Sequence, residues 1–405
     1  MDATSTVGLP RALISRDAIL HNLKIIRGAL APGVKVCAMI KADAYGHGAR
    51  ILADTLTNFS FEGHEGPAAD ALAVATLDEA WGLGPVAAPI HVLRPVENVY
   101  IGRERQRLEM AAREGWILTV GSVEAASDLA RIALACQKRL AVQIMLDTGF
   151  GREGMAVAGL DELVRAIEAF PSLRLAGLCT HFASAEEPGN LLTADQLRRF
   201  RTATDPHVAR NPKLIRHAAN SAAVFFSPQS HLDMVRPGIS VYGIDPRGAP
   251  SMDRPLRPVM KWIAPLLLIR DVAKGVGIGY GQTWTSPRDT RVGLVPVGYG
   301  DGYLRAFSNR GKMIAHGKMV PVVGRVSMDY TMIDLGDVPA ARVGDEVIVL
   351  DSDPLSRVNA YALAEWGGTV AYEILCRIGQ RIPRVAVEPA ENERGTIPFA
   401  GGQVA

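Results

Sequence analysis

The chain has 405 residues, of which 48% are hydrophobic and 21% charged, and 44 basic against 42 acidic residues give a net charge of +2. This balance gives no sign of a nucleic-acid or membrane-surface partner, and no apolar run approaches the length of a membrane span. The length is comfortable for two domains.

The amino terminus and the cysteines indicate the compartment. Residues 1–6 show no basic segment followed by an apolar one, so we expect no cleaved secretory signal. The cysteines Cys37, Cys136, Cys179 and Cys376 are scattered and form no CxxC pair. We therefore expect reduced thiols in a cytoplasmic protein, and no metal site.

The chain between Val34 and Ile239 alternates apolar runs with amphipathic segments. Apolar side chains three and four positions apart, as in Asp161–Glu168, are typical of helices. Eight strand–helix repeats predict a (β/α)8 barrel. An open doubly wound sheet would alternate in the same way, but no GxGxxG follows the first strand. The predicted strands are 34–41, 71–76, 89–95, 117–121, 139–147, 174–182, 214–219 and 233–236.

The pattern changes after Gly243, where residues 246–258 are rich in proline and arginine, as at a domain boundary. We predict an α/β barrel over residues 10–250 and a mostly antiparallel β domain over 251–395, its edge completed by residues 1–14. The tail, 394–405, is expected to be mobile. Predicted strands of the second domain are 262–269, 291–296, 319–323, 330–335 and 346–350.

One lysine stands out at the end of the first predicted strand. The apolar run 34–40 ends in Lys41, and a small, Gly-rich turn that contains Tyr45 follows. An amine at the end of a buried strand is costly to bury unless it is paired or chemically used. Two interpretations are open at this point: a lysine whose ammonium reaches solvent, or a Schiff-base lysine for pyridoxal phosphate (PLP).

Other polar residues follow the remaining barrel strands. Barrel active sites lie at the carboxyl ends of the strands, and the turns after strands seven and eight commonly bind a phosphate. Alone, His181 could be a core histidine, and Arg152 or Arg236 a surface ion-pair partner. Their shared position at one rim favours an active site. The strand-end residues are Lys41, Asp147–Arg152, Thr180–His181, Asn220–Ser221 and Arg236–Ile239.

A lysine at the end of an apolar strand, followed by Ala-x-Ala-Tyr-Gly-His-Gly, begins a series of motifs that extends into the second domain. The matching segments are Lys41–Gly48, Asp147–Arg152, Thr180–Ala183, Arg236–Gly243, Gly279–Gly281, Gly298–Tyr303, Ser308–Gly311 and Val323–Asp329. In this series the chain resembles the alanine racemase family of fold-type III PLP-dependent enzymes. The resemblance implies a PLP-binding barrel and a racemase that supplies D-alanine, for example for peptidoglycan.

The resemblance also implies catalytic roles. Lys41 would bind PLP and act as one base, and Tyr280 would be the second base on the opposite face, linked to His181 and Arg236. Racemisation needs a proton removed from one face and returned on the other. Arg236 would donate a hydrogen bond to the pyridine nitrogen and leave it unprotonated, which weakens the ring as an electron sink and disfavours transamination. His181 would stack on the ring.

The remaining contacts are implied in the same way. Arg152 would contact the phenolic oxygen of PLP and the substrate, and Tyr299 and the Met328 backbone would bind the substrate. In the family the β domain of one subunit caps the barrel of the other, so we expect a homodimer in which Tyr280, Tyr299 and Met328 act across the interface. The residues matching the phosphate site are Tyr45, Asn220, Ser221, Gly238, Ile239 and Tyr372.

Two positions depart from the family pattern. Met145 stands where many alanine racemases have a carbamylated lysine that helps hold the arginine matching Arg152, and methionine cannot carry a carbamate. Another anion such as chloride, another side chain, or altered binding of the substrate carboxylate is expected instead. Ser327 stands at a position often occupied by cysteine.

These departures keep a serine or broad-specificity amino-acid racemase open as an alternative. A non-catalytic PLP-carrying barrel protein is a second alternative, but such proteins resemble the barrel alone. A PLP decarboxylase is a third, although its Cys-Asp substrate motif is not evident in the sequence.

Overall fold

A computed structural model describes residues 8–96, 102 and 104–388. These residues form two compact units, one of residues 22–44 and 52–241 and the other of residues 8–21, 45–51 and 242–388. Residues 1–7 and the tail 394–405, for which an edge position and mobility were predicted, lie outside the described residues. The first strand, β1 (Arg11–Ser15), belongs to the second unit.

In the first unit, eight parallel strands of the described chain close into a barrel. They are β2 (Lys35–Met39), β3 (Ala71–Val74), β4 (Ile90–Val96), β5 (Ile117–Val120), β6 (Leu140–Asp147), β8 (Leu173–Cys179), β9 (Ile215–His217) and β10 (Met234–Val235). Their order is β5-β4-β3-β2-β10-β9-β8-β6, and β5 also pairs with β6. A two-residue strand, β7 (Met155–Ala156), extends the sheet beside the end of β6. The predicted barrel and its eight strands are confirmed.

Helices connect the barrel strands. Thr76 and Glu79 form a capping box at the start of the helix Leu77–Leu83, and Ser122 caps the helix Val123–Ala135 by accepting the N–H of Ala125 at 3.1 Å. The apolar face of the helix Leu160–Ala169, which includes Leu163, is buried. The helices are α1 (Arg16–Gly28), α2 (Ala49–Asn58), α3 (Leu77–Leu83), α4 (Arg105–Glu114), α5 (Val123–Ala135), α6 (Leu160–Ala169), α7 (Leu191–Arg210) and α8 (Ser221–Phe226).

The second unit contains a six-stranded sheet. Its further strands are β11 (Met260–Pro265), β16 (Lys312–Ala315), β17 (Lys318–Pro321), β19 (Glu346–Leu350) and β20 (Arg384–Val387), in the order β17-β16-β19-β11-β1-β20. β1 pairs antiparallel with β11 and parallel with β20. The predicted edge position of this amino-terminal segment is therefore wrong for residues 12–14, because β20, which the sequence pattern did not predict, covers their outer side.

Smaller elements complete this unit. A three-stranded antiparallel sheet consists of β12 (Leu268–Val272), β15 (Thr290–Val295) and β18 (Thr331–Asp334), and a hairpin of β13 (Gly277–Ile278) and β14 (Trp284–Thr285). Two helices, α9 (Ala360–Gly367) and α10 (Ala371–Arg377), were not predicted. The predicted strand 262–269 is two strands, because the backbone changes partner between Leu266, bonded to Asp345, and Leu267, bonded to Leu294.

Candidate active site

Lys41 follows β2 at the carboxyl-terminal rim of the barrel and begins a left-handed turn. Ala42, Asp43, Ala44 and Tyr45 all have φ between 52° and 55°, a conformation that costs about 1–2 kcal/mol for each residue with a side chain. Hydrogen bonds hold the turn, since Ala44 N donates to the carbonyl of residue 40 at 2.9 Å and Ala42 N donates to Glu79 Oε1 at 2.7 Å. The backbone direction after Lys41 is therefore fixed.

Arg236 is buried at the same rim, directly after β10, with 3% of its surface exposed. Its Nη1 lies 2.7 Å from both the backbone oxygen and Nδ1 of His217. Its Nη2 donates to the backbone oxygens of Thr180 at 2.7 Å and Ala218 at 3.3 Å, and lies 3.4 Å from Nδ1 of His181. These contacts compensate for the burial of a guanidinium and fix its orientation.

The histidines around Arg236 are held neutral. Burial, followed by the charges of Arg236, Arg152 and Lys41, lowers the pKa of His181 to about 3. Burial, followed by the charge of Arg236, also lowers the pKa of His217 well below its usual value. The rim therefore keeps its positive charge on the lysine and the arginines.

Two buried thiols lie in the electrostatic field of Arg236. Burial raises the pKa of Cys37 to about 12 and of Cys179 to about 11, although the guanidinium opposes the shift. Both are therefore protonated near neutral pH, and neither supplies a carboxylate-like counter-ion to Arg236.

Ser221, at the start of α8, gathers donors from the loop after β10. Its Oγ accepts the N–H of Gly238 at 2.8 Å and of Ser240 at 3.2 Å, and lies 3.0 Å from the Ser240 hydroxyl. Asn220 caps α8 through its contact with the N–H of residue 223. Ile239 is buried beside this loop. Two backbone N–H groups and the Ser240 hydroxyl thus converge on Ser221, whose own hydroxyl hydrogen can donate to a further acceptor such as a phosphate oxygen.

Arg152 contacts a neighbouring carboxylate. Its Nη2 donates to Glu153 Oε1 at 2.8 Å and its Nε contacts Oε2, so the pair is bidentate. The guanidinium also lies 4.2 Å from the ring centre of Phe150, which in turn lies 5.5 Å from the ring of His181. Met145 is buried on β6. Glu153 is thus a side chain that contacts Arg152, one of the arrangements expected in place of the carbamylated lysine.

Within the second unit, Tyr45 and Tyr372 lie together. Their ring centroids are 6.2 Å apart, and the ring of Tyr45 is 4.9 Å from that of Tyr242. Tyr45 is buried, whereas Tyr372 on α10 is 38% exposed. The buried aromatic pair fixes the position of Tyr45.

Tyr299 and Met328 lie on two loops that run side by side. Tyr299 N donates to the backbone oxygen of Ser327 at 3.0 Å, and Gly300 N donates to that of Met328 at 2.8 Å. Only glycine fits at Gly298, because a Cβ there would lie 2.3 Å from the Ser327 oxygen. The side chains of Tyr299 and Met328 are 43% and 54% exposed.

Arg381 ties these two loops together. Its Nε lies 3.0 Å from Asp301 Oδ1 and its Nη1 lies 2.8 Å from Asp329 Oδ1. Tyr280 is in a turn after β13 and is 70% exposed. On the second unit, the structure brings Tyr299 close to Met328 and Tyr45 close to Tyr372. On the barrel, it brings His181 close to Arg236 and Ser221 close to Gly238.

Two family models match the chain in order: "Alanine racemase, N-terminal domain" over residues 14–246 and "Alanine racemase, C-terminal domain" over residues 259–386. The chain belongs to the alanine racemase family. It is 37% identical over 382 residues to the alanine racemase of Chlorobaculum tepidum, covering 94% of this chain and 96% of that protein. It is 36% identical over 390 residues to that of Sorangium cellulosum, covering 94% and 99%.

Solved structures of alanine racemases agree with this assignment. The enzyme of Streptomyces coelicolor A3(2) has 35% identity and a TM-score of 0.82, with 95% of this chain and 99% of that chain covered. The alanine racemase of Bartonella henselae, solved with covalently bound pyridoxal phosphate, has 26% identity and a TM-score of 0.78, with 94% and 99% covered. Among the residues that the structure describes, no helix is both long and apolar enough to cross a membrane.

In this member of the alanine racemase family, several site residues were missed by the sequence analysis. His217 and Gln143 lie inside predicted strands, where a polar residue in an apolar run was the available signal. Ser240 falls within a matching segment but was not assigned a role. Arg381 gave no local signal, because its two carboxylate partners are 52 and 80 residues earlier in the chain.

Proposed function

We propose that this protein interconverts L-alanine and D-alanine with PLP as its cofactor. One observation supports this above the others: a strand-end lysine and a buried arginine lie on the rim of a barrel in a chain that matches alanine racemases over nearly its whole length. Relatives named for alanine favour alanine over serine as the substrate. The match to the carboxyl-terminal family model disfavours a carrier barrel without catalysis.

The residues at the barrel rim fit PLP. Ser221, whose Oγ accepts from Gly238 and Ser240, offers its own hydroxyl hydrogen to a phosphate. Arg236 offers only donors, which suits an unprotonated pyridine nitrogen. When bound, PLP stabilises negative charge at the α-carbon of an amino acid. The phosphate and ring contacts would come from Lys41, Tyr45, Arg152, His181, Asn220, Ser221, Arg236, Gly238, Ile239 and Tyr372.

Two groups of the chain would move the α-proton. The amine of Lys41 would take or return the proton on one face, and the hydroxyl of Tyr280 on the other. Arg152, held by Glu153, would position the substrate, together with Tyr299 and the backbone of Met328. A cytoplasmic location and a role in supplying D-alanine for peptidoglycan stay predictions.

We also propose a homodimer in which Tyr280, Tyr299 and Met328 complete the site of the other subunit. Their high exposure supports this, since exposed aromatic and apolar side chains often mark an interface. Lys41→Ala and Tyr280→Phe proteins, each inactive alone, should regain roughly a quarter of wild-type activity after unfolding and refolding together, because about half of the dimers are mixed and each mixed dimer has one intact site of its two. Ultracentrifugation that shows a fully active monomer contradicts the shared site.

Incubation of the protein with a panel of amino acids is the decisive experiment for the reaction. Purified protein is incubated with PLP and each of the L- and D-amino acids, and the products are separated by chiral chromatography. Alanine should be racemised fastest. A higher rate with serine contradicts alanine as the substrate, and no racemisation of any amino acid contradicts the reaction itself.

A further inference from the structure

A chain of polar side chains crosses the interior of the barrel behind Arg236. From Arg236 it passes to Nδ1 of His217 at 2.7 Å, and from Nε2 of His217 to Oε1 of Gln143 at 3.1 Å. The same Oε1 lies 2.9 Å from Nδ1 of His91, and Nε2 of Gln143 donates to Thr119 Oγ1 at 2.9 Å. We call these five residues the buried polar chain. Each is at most 7% exposed.

The donors and acceptors of this chain can be assigned without ambiguity. A guanidinium can only donate, so Nδ1 of His217 must accept from Arg236 and Nε2 must carry the hydrogen. The Nε2–H of His217 needs an acceptor. The Gln143 atom that faces it must therefore be the amide oxygen, because the amide nitrogen can only donate. The amide nitrogen then faces Thr119, whose hydroxyl donates to the backbone oxygen of Val92 at 2.7 Å. His91 must likewise donate from Nδ1.

Protonation of His217 would break this order. A second N–H at Nδ1 would face an N–H of Arg236 at 2.7 Å, donor against donor. The titratable and charged groups that act on His217 are Arg236 and His91, and both disfavour its protonation. Gln143, which is neutral and lies between the two imidazoles, accepts from both without adding charge.

We propose that Gln143 is a positioning residue for Arg236, and that it acts by holding His217 in its neutral, Nε2-protonated form. This inference rests on the proposed function in so far as Arg236 binds the cofactor. Gln143 and Arg236 select the same tautomer from opposite sides of one imidazole ring, so Gln143 reinforces the tautomer in which Nδ1 of His217 accepts from Arg236. Gln143 makes no contact with Arg236 itself and acts through the ring.

The test compares three forms of the PLP-loaded protein, each labelled with 15N in its histidine rings: wild type, Gln143→Met and Gln143→Glu. In wild-type protein, NMR should show hydrogen on Nε2 of His217 and on Nδ1 of His91 throughout pH 6–8. Gln143→Met keeps the volume of the side chain but removes the acceptor. The ring signals of His217 and His91 should change, and the dissociation constant of PLP should rise about tenfold. Gln143→Glu keeps the shape of the side chain and adds a negative charge. A titration of His217 or His91 between pH 6 and 8, which wild-type protein lacks, should therefore appear.

Two controls separate positioning from general packing. Thr204→Val removes another buried hydroxyl of this unit, which donates to the Phe200 oxygen at 2.8 Å, and should change neither ring signals nor PLP affinity. His231, whose Nε2 lies 2.9 Å from the Val224 oxygen, is an internal reference whose signal at a given pH should be the same in wild type and in every variant. Unchanged His217 signals in both Gln143 variants, or equal changes in Thr204→Val, overturn the proposal.

Failure of this inference can be distinguished from failure of the proposed function. The ring signals and PLP affinity report on Gln143 whether or not any amino acid is racemised. Conversely, if alanine is racemised and the ring signals of His217 are the same in wild type and Gln143→Met, the proposed function stands and the positioning role is wrong.

Discussion

The Oγ of Ser221 accepts the backbone N–H of Gly238 at 2.8 Å, which joins the first turn of α8 to the loop after β10. These two segments come from neighbouring strand ends of the barrel, and the side chain of one fixes the backbone of the other. A loop held in this way presents its donors in one arrangement before any ligand arrives, which lowers the entropy cost of binding.

Ser221→Ala should weaken both this junction and the affinity for PLP. Loss of the shared acceptor leaves buried N–H groups unsatisfied at a cost of about 1–2 kcal/mol, and the PLP dissociation constant should rise about tenfold. Fluorescence titration of the apoprotein with PLP measures this change. Ser230→Ala removes an equally buried hydroxyl, bonded to the Ser227 oxygen at 2.7 Å, and should leave PLP affinity unaltered. Equal effects of the two substitutions contradict the phosphate assignment.

Lys41→Ala should remove the visible absorbance of the covalently bound cofactor and lower racemase activity by at least about 10³-fold, because the amine serves both as the attachment point and as a base. Absorption spectra and chiral assays measure the two effects. Lys35→Ala, an exposed lysine at the other end of the same strand, is the matched control and should behave as wild type. An unchanged spectrum of Lys41→Ala refutes the attachment.

Tyr280→Phe removes one hydroxyl and should lower racemisation by about 10²–10⁴-fold, the usual contribution of a general acid or base. Exchange of the α-hydrogen in heavy water should fall far more for one enantiomer than for the other, because each base serves one face. Tyr330→Phe, another exposed tyrosine of the second unit, serves as the control. Undiminished exchange from both enantiomers excludes Tyr280 from proton transfer.

Gly243→Ala should destabilise the second unit severely. Gly243 has a φ of 81°, and a Cβ there would lie 1.9 Å from the backbone oxygen of Arg257, so we expect a loss of more than about 3 kcal/mol, or insoluble protein. Gly248 has a φ of 82° with nothing within 4 Å of the added atom, so Gly248→Ala should cost only about 1 kcal/mol. Urea unfolding measures both. If the two substitutions lower the free energy of unfolding equally, the positive φ alone, and not the close approach of the Arg257 oxygen, decides the cost.

Stability should fall as pH drops below about 6.5, the ordinary pKa of histidine. Burial lowers the pKa of His91 to about 4 and that of His217 well below its usual value. As the pH falls, the unfolded chain therefore binds protons at these histidines that the folded chain does not bind. Each such histidine should reduce the free energy of unfolding by about 1.4 kcal/mol per pH unit between pH 6.5 and 4. Urea unfolding at pH 7.5, 6.5 and 5.5 measures the slope, and constant stability over this range contradicts neutral burial.

The barrel could be predicted because its strands are apolar on both faces and stand out as continuous runs. The second unit was harder. β20, Arg384–Val387, is only partly buried and shows no clear alternation, and α9 is so apolar that its helical period is obscured. The pairing of β1 with β20 depends on residues more than 350 positions apart, which no local pattern records.

For the candidate site, strand ends could be located from the sequence, since carboxyl ends of parallel strands share one rim. This predicted that Lys41, His181 and Arg236 lie at one rim. The contacts among them could not be predicted, because Gln143 and His217 approach each other across the barrel interior from strands 74 residues apart. The contact of Glu153 with Arg152 was not predicted, because adjacency in sequence does not indicate whether two side chains meet.

The position of β1 between β11 and β20 has a consequence for synthesis on the ribosome. The last barrel strand is complete once Val235 has emerged, but the neighbours of β1 are finished only when Val387 appears. At about 5–20 residues per second this delay is roughly 8–30 seconds. During that time β1 can pair with β11 once Pro265 has emerged, but its other edge stays unpaired until β20 is made, so nascent chains stalled before Arg384 should be favoured targets for chaperones and for proteolysis.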